Sequence, residues 1–243
     1  MEPVTGLSRR ALVALGIILI LGVVAGTVAT ARSGDRKPGC IDATYDCATF
    51  RAGEPVVLGV LSPRDDVDRA VRLVAELWGQ DLGGRPLRVL AWNDRCTPEG
   101  GASGARALAT DSPDEPPVLA VVAETCRAAI TPAAQILSDS GITLVSMSGT
   151  PVPRAVGRPR FHLAVGPLPA VPLQSFEAVY AQRYGPPDPR AVAAAYTADA
   201  ILRTARSLVG RTADGALLVP RTPLRDGLIR AGFVRVGWGR SGS

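Results

Sequence analysis

Apolar residues in this chain follow two alternating rhythms. Residues 55–61 carry Val56, Val57, Leu58, Val60 and Leu61 in a short continuous run, the pattern of a strand buried on both faces of a parallel sheet. Residues 65–80 change to helical spacing, with Val67, Ala70, Val71, Val74, Leu77 and Trp78 recurring three and four apart. Gly83-Gly84 then stops the helix and turns the chain. The same reading predicts strands at 87–92, 118–123, 142–146 and 161–165, with helices at 101–109 and 128–140, the second closed by Gly141. Strand and helix alternate with short links, which predicts an α/β fold: a doubly wound, mostly parallel sheet with helices on both faces. Ligands of such sheets sit beyond the carboxyl ends of the strands. That singles out the loops at 62–66, at 91–98, and at 124–128 together with 146–151.

The second half is punctuated by proline. Residues 166–172 read Gly-Pro-Leu-Pro-Ala-Val-Pro, which excludes a helix or a central strand and predicts a connector. Helices are predicted at 174–184 and 190–208, divided by Gly185-Pro186-Pro187, then a short strand at 216–219 and a helix at 224–231. Residues 236–243 are expected to be a flexible tail. No internal repeat is present.

The N-terminus changes the picture from fold to address. Arg9 and Arg10 precede a run from 11 to 31 with no charged residue. About 20 apolar residues span a bilayer, and a basic start, apolar middle and small-x-small end (Ala29-Thr30-Ala31) also describe a secretory signal. Residues 1–31 are therefore expected to be a signal peptide or membrane anchor, an N-terminal hydrophobic helix that puts the remainder outside the cytoplasm in either case. Residues 32–54 are polar and Gly/Pro-bearing, and predict a tether carrying a short disulfide.

Composition agrees with export. Four cysteines, Cys40, Cys47, Cys96 and Cys126, argue for disulfides in an exported chain and permit three pairings. Cys40 and Cys47 flank a short turn and can pair locally, leaving Cys96 and Cys126 to pair across the fold. No C-x-x-C occurs and His162 is the single histidine, so no metal site is expected. The net charge is +5, but the basic residues are almost all arginines scattered among acidic ones. Nucleic acid wants a clustered stripe, and none is expected as a partner. Gly100-Gly101-Ala102-Ser103-Gly104 is a Gly-rich helix start without the spacing of a nucleotide loop, so no cofactor is expected. His162 reads as a structural strand residue, and no serine or cysteine sits in a nucleophile elbow. An export-pathway hydrolase would require a nucleophile and a base in contact. The chain is not expected to be an enzyme.

Several segments taken in order resemble a known family. Asn93-Asp94-Arg95-Cys96-Thr97-Pro98 follows a strand and precedes a helix, Glu124-Thr125-Cys126 follows the next strand, and residues 142–150 follow the next helix. This order resembles the first lobe of the leucine/isoleucine/valine-binding proteins, the type I periplasmic solute-binding fold of ABC transporters. Residues 176–184, then 193–200 and 217–226, are similar to the family's return segment into that lobe. The resemblance covers roughly residues 38–235.

What the resemblance implies is a single solute-binding-protein-like lobe over residues 55–235. It implies a disulfide between Cys96 and Cys126, and a ligand held by Thr125, Arg127, Ser146, Ser148 and Thr150. Arg127 stands where the family commonly has serine. At a helix start it could clamp a carboxylate. The implied partners are an amino acid or related carboxylate and an ABC permease. The departures are large. The place of the second lobe holds only residues 166–172, and the first loop is the short Ser62-Pro63-Arg64-Asp65-Asp66. The expected function is an extracytoplasmic substrate-binding-like domain with weakened binding, anchored to the membrane or secreted. The alternative is a membrane-anchored sensor or interaction module without a transport role.

Overall fold

In the computed structural model of the chain, the described residues are 40, 46–79, 82–110, 115–147, 160–165 and 174–236. The apolar segment 11–31, the connector 166–172 and the tail beyond residue 236 lie outside them. Among the described residues no helix is long and apolar enough to cross a membrane. Every element named below belongs to one compact unit, Pro38–Ser243.

The elements follow the predicted alternation: β1 (Cys47–Phe50), β2 (Val56–Leu61), α1 (Asp65–Trp78), β3 (Leu87–Trp92), α2 (Pro98–Ala109), β4 (Val118–Ala123), α3 (Arg127–Asp139), β5 (Thr143–Ser146) and β6 (His162–Ala164). After these come α4 (Gln174–Tyr184), α5 (Pro189–Leu208), β7 (Gly210–Arg211), β8 (Leu217–Pro220), α6 (Arg221–Arg230) and β9 (Val234–Arg235). Six strands form the main sheet in the order β3-β2-β4-β5-β6-β9. All neighbours in it are parallel except β9, which runs antiparallel to β6.

The strand order dictates where the helices lie. From β2 the chain steps outward to β3, then reverses past β2 to β4 and continues to β5. Right-handed crossovers therefore place α1 on one face and both α2 and α3 on the other. The two apolar cores follow this division. One joins α1, α5 and α6 to one face of the sheet through residues such as Val71, Val74, Ala198, Ile201 and Leu228. The other packs Ala105, Leu108, Ile130 and Leu137 of α2 and α3 against Val57, Val121 and Leu144. The central strands β2 and β4 are buried along their whole length, as continuous aliphatic runs require.

Glycines set the closeness of α2 to its neighbours. A side chain at Gly101 would overlap the Ala129 carbonyl of α3, and one at Gly104 would meet Leu61 and Trp92. The Gly-rich start of α2 is thus a packing surface, where two backbones meet with no Cβ between them.

Several predicted boundaries differ, among them those of the lead-in and the last helix. Residues 47–50 were expected in the tether, yet they form β1, which pairs antiparallel with β8 in a second sheet ordered β1-β8-β7. Phe50 is fully buried there, so one aromatic anchor ties the lead-in to the domain. The last helix begins at Arg221, directly after β8, with Pro220 as its N-cap. Proline is at home at that entry because the amide it lacks would be unpaired there. The short strands β7 and β9 have two residues each, too few to leave a periodic signal.

Candidate functional site

The carboxyl ends of β2 to β6 bring Leu61, Trp92, Ala123, Ser146 and Ala164 to one end of the sheet. The strand order reverses between β2 and β4, and a crevice is expected outside the strands at such a switch point. Backbone bonds carry the ladder one step past the strands: the amides of Ser62, Glu124, Met147 and Val165 donate to Trp92, Leu61, Ala123 and Ser146 respectively.

Three loops and one helix start surround this end. After β2, the Ser62 hydroxyl accepts from the Arg64 amide at 3.1 Å. The Arg64 guanidinium donates to Asp66 through Nε at 3.0 Å and Nη2 at 2.6 Å. That bidentate bond holds the Asp66 carboxyl below the usual carboxylate range. After β3, Asp94 is fully buried, and its Oδ1 accepts from the Cys96 amide at 2.9 Å. Arg95 and Cys96 both adopt left-handed backbone, φ 53° and 59°. The short carboxylate turn and the disulfide hold two side-chain-bearing residues where glycine is the ordinary occupant. After β4 come Glu124, Thr125 and Cys126, and Cys126 caps α3 without a side-chain hydrogen bond.

Both disulfides form. Cys40 pairs with Cys47, and Cys96 with Cys126, whose Cα atoms are 5.0 Å apart. The second bridge staples the loop after β3 to the N-cap residue of α3. Two disulfides fit an extracytoplasmic location.

Charge gathers at the same end from further along the chain. Asp188 caps α5, accepting from the Arg190 amide at 2.8 Å, and lies 3.7 Å from Arg64. Arg190 reaches back to Glu124, 3.3 Å away, whose side chain is only 13% exposed. Arg64, Asp66, Asp188, Arg190 and Glu124 thus form paired charges from three separate segments. Asp188-Pro189 is a legible cap signal, but no local pattern places Arg190 beside Glu124. The tertiary packing of α5 does so.

The expected ligand residues divide into three groups. Thr125 and Arg127 flank Cys126 at the start of α3; Thr125 is buried and Arg127 exposed. Nothing acidic occupies the first turn of α3, so its N-terminus and Arg127 together present an uncompensated positive end. Ser146 does not present its hydroxyl to the loops. It is fully buried, with Oγ 2.9 Å from Nε2 of His162 and donating to the Leu163 carbonyl at 3.3 Å. The strand pleat turns this residue into the core beside Leu144 rather than out of the sheet end. Ser148 and Thr150 lie outside the described residues.

The Ser146–His162 contact joins a hydroxyl to an imidazole, so its chemistry matters. With the hydroxyl donating to Leu163, the ring donates through Nε2. A general base would instead accept the serine proton. Nδ1 has no hydrogen-bond partner, so no carboxylate orients the ring. Both residues are at most 1% exposed. Burial also pushes the His162 pKa down to about 4. The pair is a core hydrogen bond that substrate does not reach. Among the described residues no group of three or more histidines, cysteines, aspartates or glutamates could hold a metal ion.

No protein-family model matches the chain. No curated protein sequence matches it. Solved structures do match. A Rhodospirillum rubrum protein assigned to branched-chain amino acid ABC transport aligns over 72% of this chain and 88% of its own, at 13% identity and a TM-score of 0.49. The chain is similar to substrate-binding proteins of ABC transporters. One from Desulfitobacterium hafniense aligns over 47% of this chain and 34% of its own, at 21% identity and a TM-score of 0.37. A leucine-binding protein of Thermotoga maritima aligns over 53% of this chain and 37% of its own, at 21% identity and a TM-score of 0.34. The chain spans about a third of the length of these last two substrate-binding proteins.

Proposed function

We propose that the chain is an extracytoplasmic, single-lobed substrate-binding-protein-like domain, related to ABC-type uptake of branched-chain amino acids, with weakened ligand binding. The observation that carries this reading is the end of the sheet at the β2/β4 reversal. There Thr125, Arg127 and the open N-terminus of α3 converge beside the Cys96–Cys126 staple. A helix N-terminus with an adjacent arginine suits a carboxylate, so the ligand class is an amino acid or a related carboxylate. An ABC permease is the corresponding partner.

Weak binding follows from geometry. Tight small-molecule pockets enclose most of the ligand surface, and a single lobe offers one wall. Calorimetry with leucine, isoleucine and valine is expected to give Kd values above ~100 μM, that is, less than about 5.5 kcal/mol of binding free energy. Micromolar binding by the monomer would refute the weakened site.

A second reading has its own observation. Apart from Arg127, the charged side chains named at the mouth pair with one another, Arg64 with Asp66 and Asp188, Arg190 with Glu124. A site whose charges are internally paired suits a membrane-anchored sensor or interaction module as well as a transporter's receptor. Intact-mass measurement separates the two: retention of residues 1–31 in the mature chain favours the anchored module.

A further inference from the structure

The two disulfides differ in surroundings. In the first bridge Cys40 is half-buried and Cys47, in β1, is 2% exposed. In the second, at the carboxyl end of the sheet, Cys96 is half-buried and Cys126 exposed. Cys126 is also the N-cap of the 13-residue helix α3, with no side-chain cap bond, no acidic residue in the first turn and exposed Arg127 as the first helical residue. The nearby carboxylate Glu124 is matched by Arg190 at 3.3 Å. Thiolate at a helix N-terminus beside a cation is stabilised, and a better-stabilised thiolate is a better leaving group.

We propose that Cys96–Cys126 is an exchange site for a dithiol reductant, attacked at Cys96 and releasing Cys126, in the folded protein. A thiolate of the reductant bonds to Cys96 Sγ. The Cys96–Cys126 bond breaks, and its electron pair leaves on Cys126 Sγ at the amino end of α3. The second thiol of the reductant, as thiolate, then attacks its own sulfur in the mixed disulfide. This closes the reductant's disulfide and expels Cys96 as thiolate. Two electrons have passed from the dithiol to the protein; the two protons the dithiol gave up to solvent on ionising are balanced by those the released thiolates take from solvent when they protonate.

Reduction also frees the loop it staples. Arg95 and Cys96 sit at φ 53° and 59°, a backbone region L-residues seldom hold without outside support. With the bridge open, that support falls to local hydrogen bonds, from the Arg95 amide to Asn93 Oδ1 at 2.9 Å, the Cys96 amide to Asp94 Oδ1 at 2.9 Å and the Thr97 amide to the Asp94 carbonyl at 3.0 Å, and the covalent tie between the loop after β3 and the start of α3 is gone. The exchange chemistry is independent of whether this end of the sheet holds a ligand.

The test uses the full oxidised chain under native conditions. Dithiothreitol at low concentration is quenched with an alkylating agent over time, and the label at each cysteine is mapped by peptide mass. Cys96 and Cys126 are expected to become labelled about tenfold faster than Cys40 and Cys47, with the far-ultraviolet circular dichroism unchanged. Equal rates, earlier opening of Cys40–Cys47, or labelling only on unfolding overturns the proposal. A short pulse of the monothiol glutathione fixes the direction: the first mixed disulfide is expected on Cys96, and its appearance on Cys126 refutes release of Cys126. Arg127→Glu is expected to slow opening of Cys96–Cys126 several-fold while leaving the Cys40–Cys47 rate as an internal standard. An unchanged ratio of the two rates removes the electrostatic basis.

Discussion

His162 illustrates how a single residue couples to solution conditions. Its ring is 1% exposed, bonded to Ser146 and without a partner at Nδ1. Burial lowers its pKa to about 4 from an ordinary value near 6.5. The unfolded chain therefore binds this proton first as pH falls, so stability declines between pH 6.5 and 4 and rises again as pH increases. The loss attributable to this group reaches about 3 kcal/mol below pH 4. Urea titrations across that range are expected to show the decline, and His162→Gln, which keeps a donor near Ser146, is expected to flatten it. A wild-type midpoint independent of pH from 6.5 to 4 would show that the ring is hydrated. Asp66, held low by Arg64, acts in a more acidic window, below the ordinary carboxylate range. Gly101 gives the second residue-level expectation: Gly101→Ala forces α2 away from the Ala129 carbonyl. It is expected to destabilise by about 1–3 kcal/mol, despite alanine's better helix propensity. The pattern of hydrophobic positions marked His162 as a strand residue with a structural role. It said nothing of Ser146 turning inward, because the direction of a side chain at the last residue of a strand depends on the register of its neighbour.

At the scale of elements, the strongly periodic segments were readable and the short ones were not. Strands 87–92 and 118–123 were legible to the residue, the second as a continuous aliphatic run and the first as a short, mostly apolar segment after the Gly83-Gly84 turn. Helix α2 begins earlier than its apolar spacing suggests, since Thr97 accepts from the Gly100 amide and Pro98 occupies the first turn. Those are capping signals rather than hydrophobic ones. Strand β1 was read as tether because Cys47–Phe50 is only four residues long and its partner β8 lies far away in sequence. Its anchoring rests on Phe50, packed into the same core as Val219 and Leu217. Phe50→Ala is expected to cost about 3–5 kcal/mol and to open the β1–β8 pairing. Hydrogen exchange at the Leu217, Leu218 and Val219 amides checks this, and unchanged protection there would show that the small sheet stands without the aromatic anchor.

For the whole molecule, alternation of strand and helix is enough to anticipate a sheet covered on both faces, and it singles out the loops at the strand ends. The paired charges of Arg190 and Glu124 were not legible, because helix α5 returns to the sheet after a long excursion in sequence and its packing on α1 and β4 brings the two together. The remaining whole-chain expectation concerns address. Four cysteines joined in two disulfides fit an oxidising compartment, where such bridges form and persist. Arg9 and Arg10 followed by the uncharged run 11–31 are the means we propose for reaching it. A phosphatase reporter that is active only with its own disulfides formed, fused after residue 236, is expected to be active in cells carrying the full chain. Deleting residues 11–31 is expected to abolish that activity while leaving the fusion detectable in the cytoplasm with its cysteines open to alkylation. Full reporter activity after the deletion would separate export from this segment. Disulfides retained in a cytoplasmic fusion would separate the bridges from the compartment.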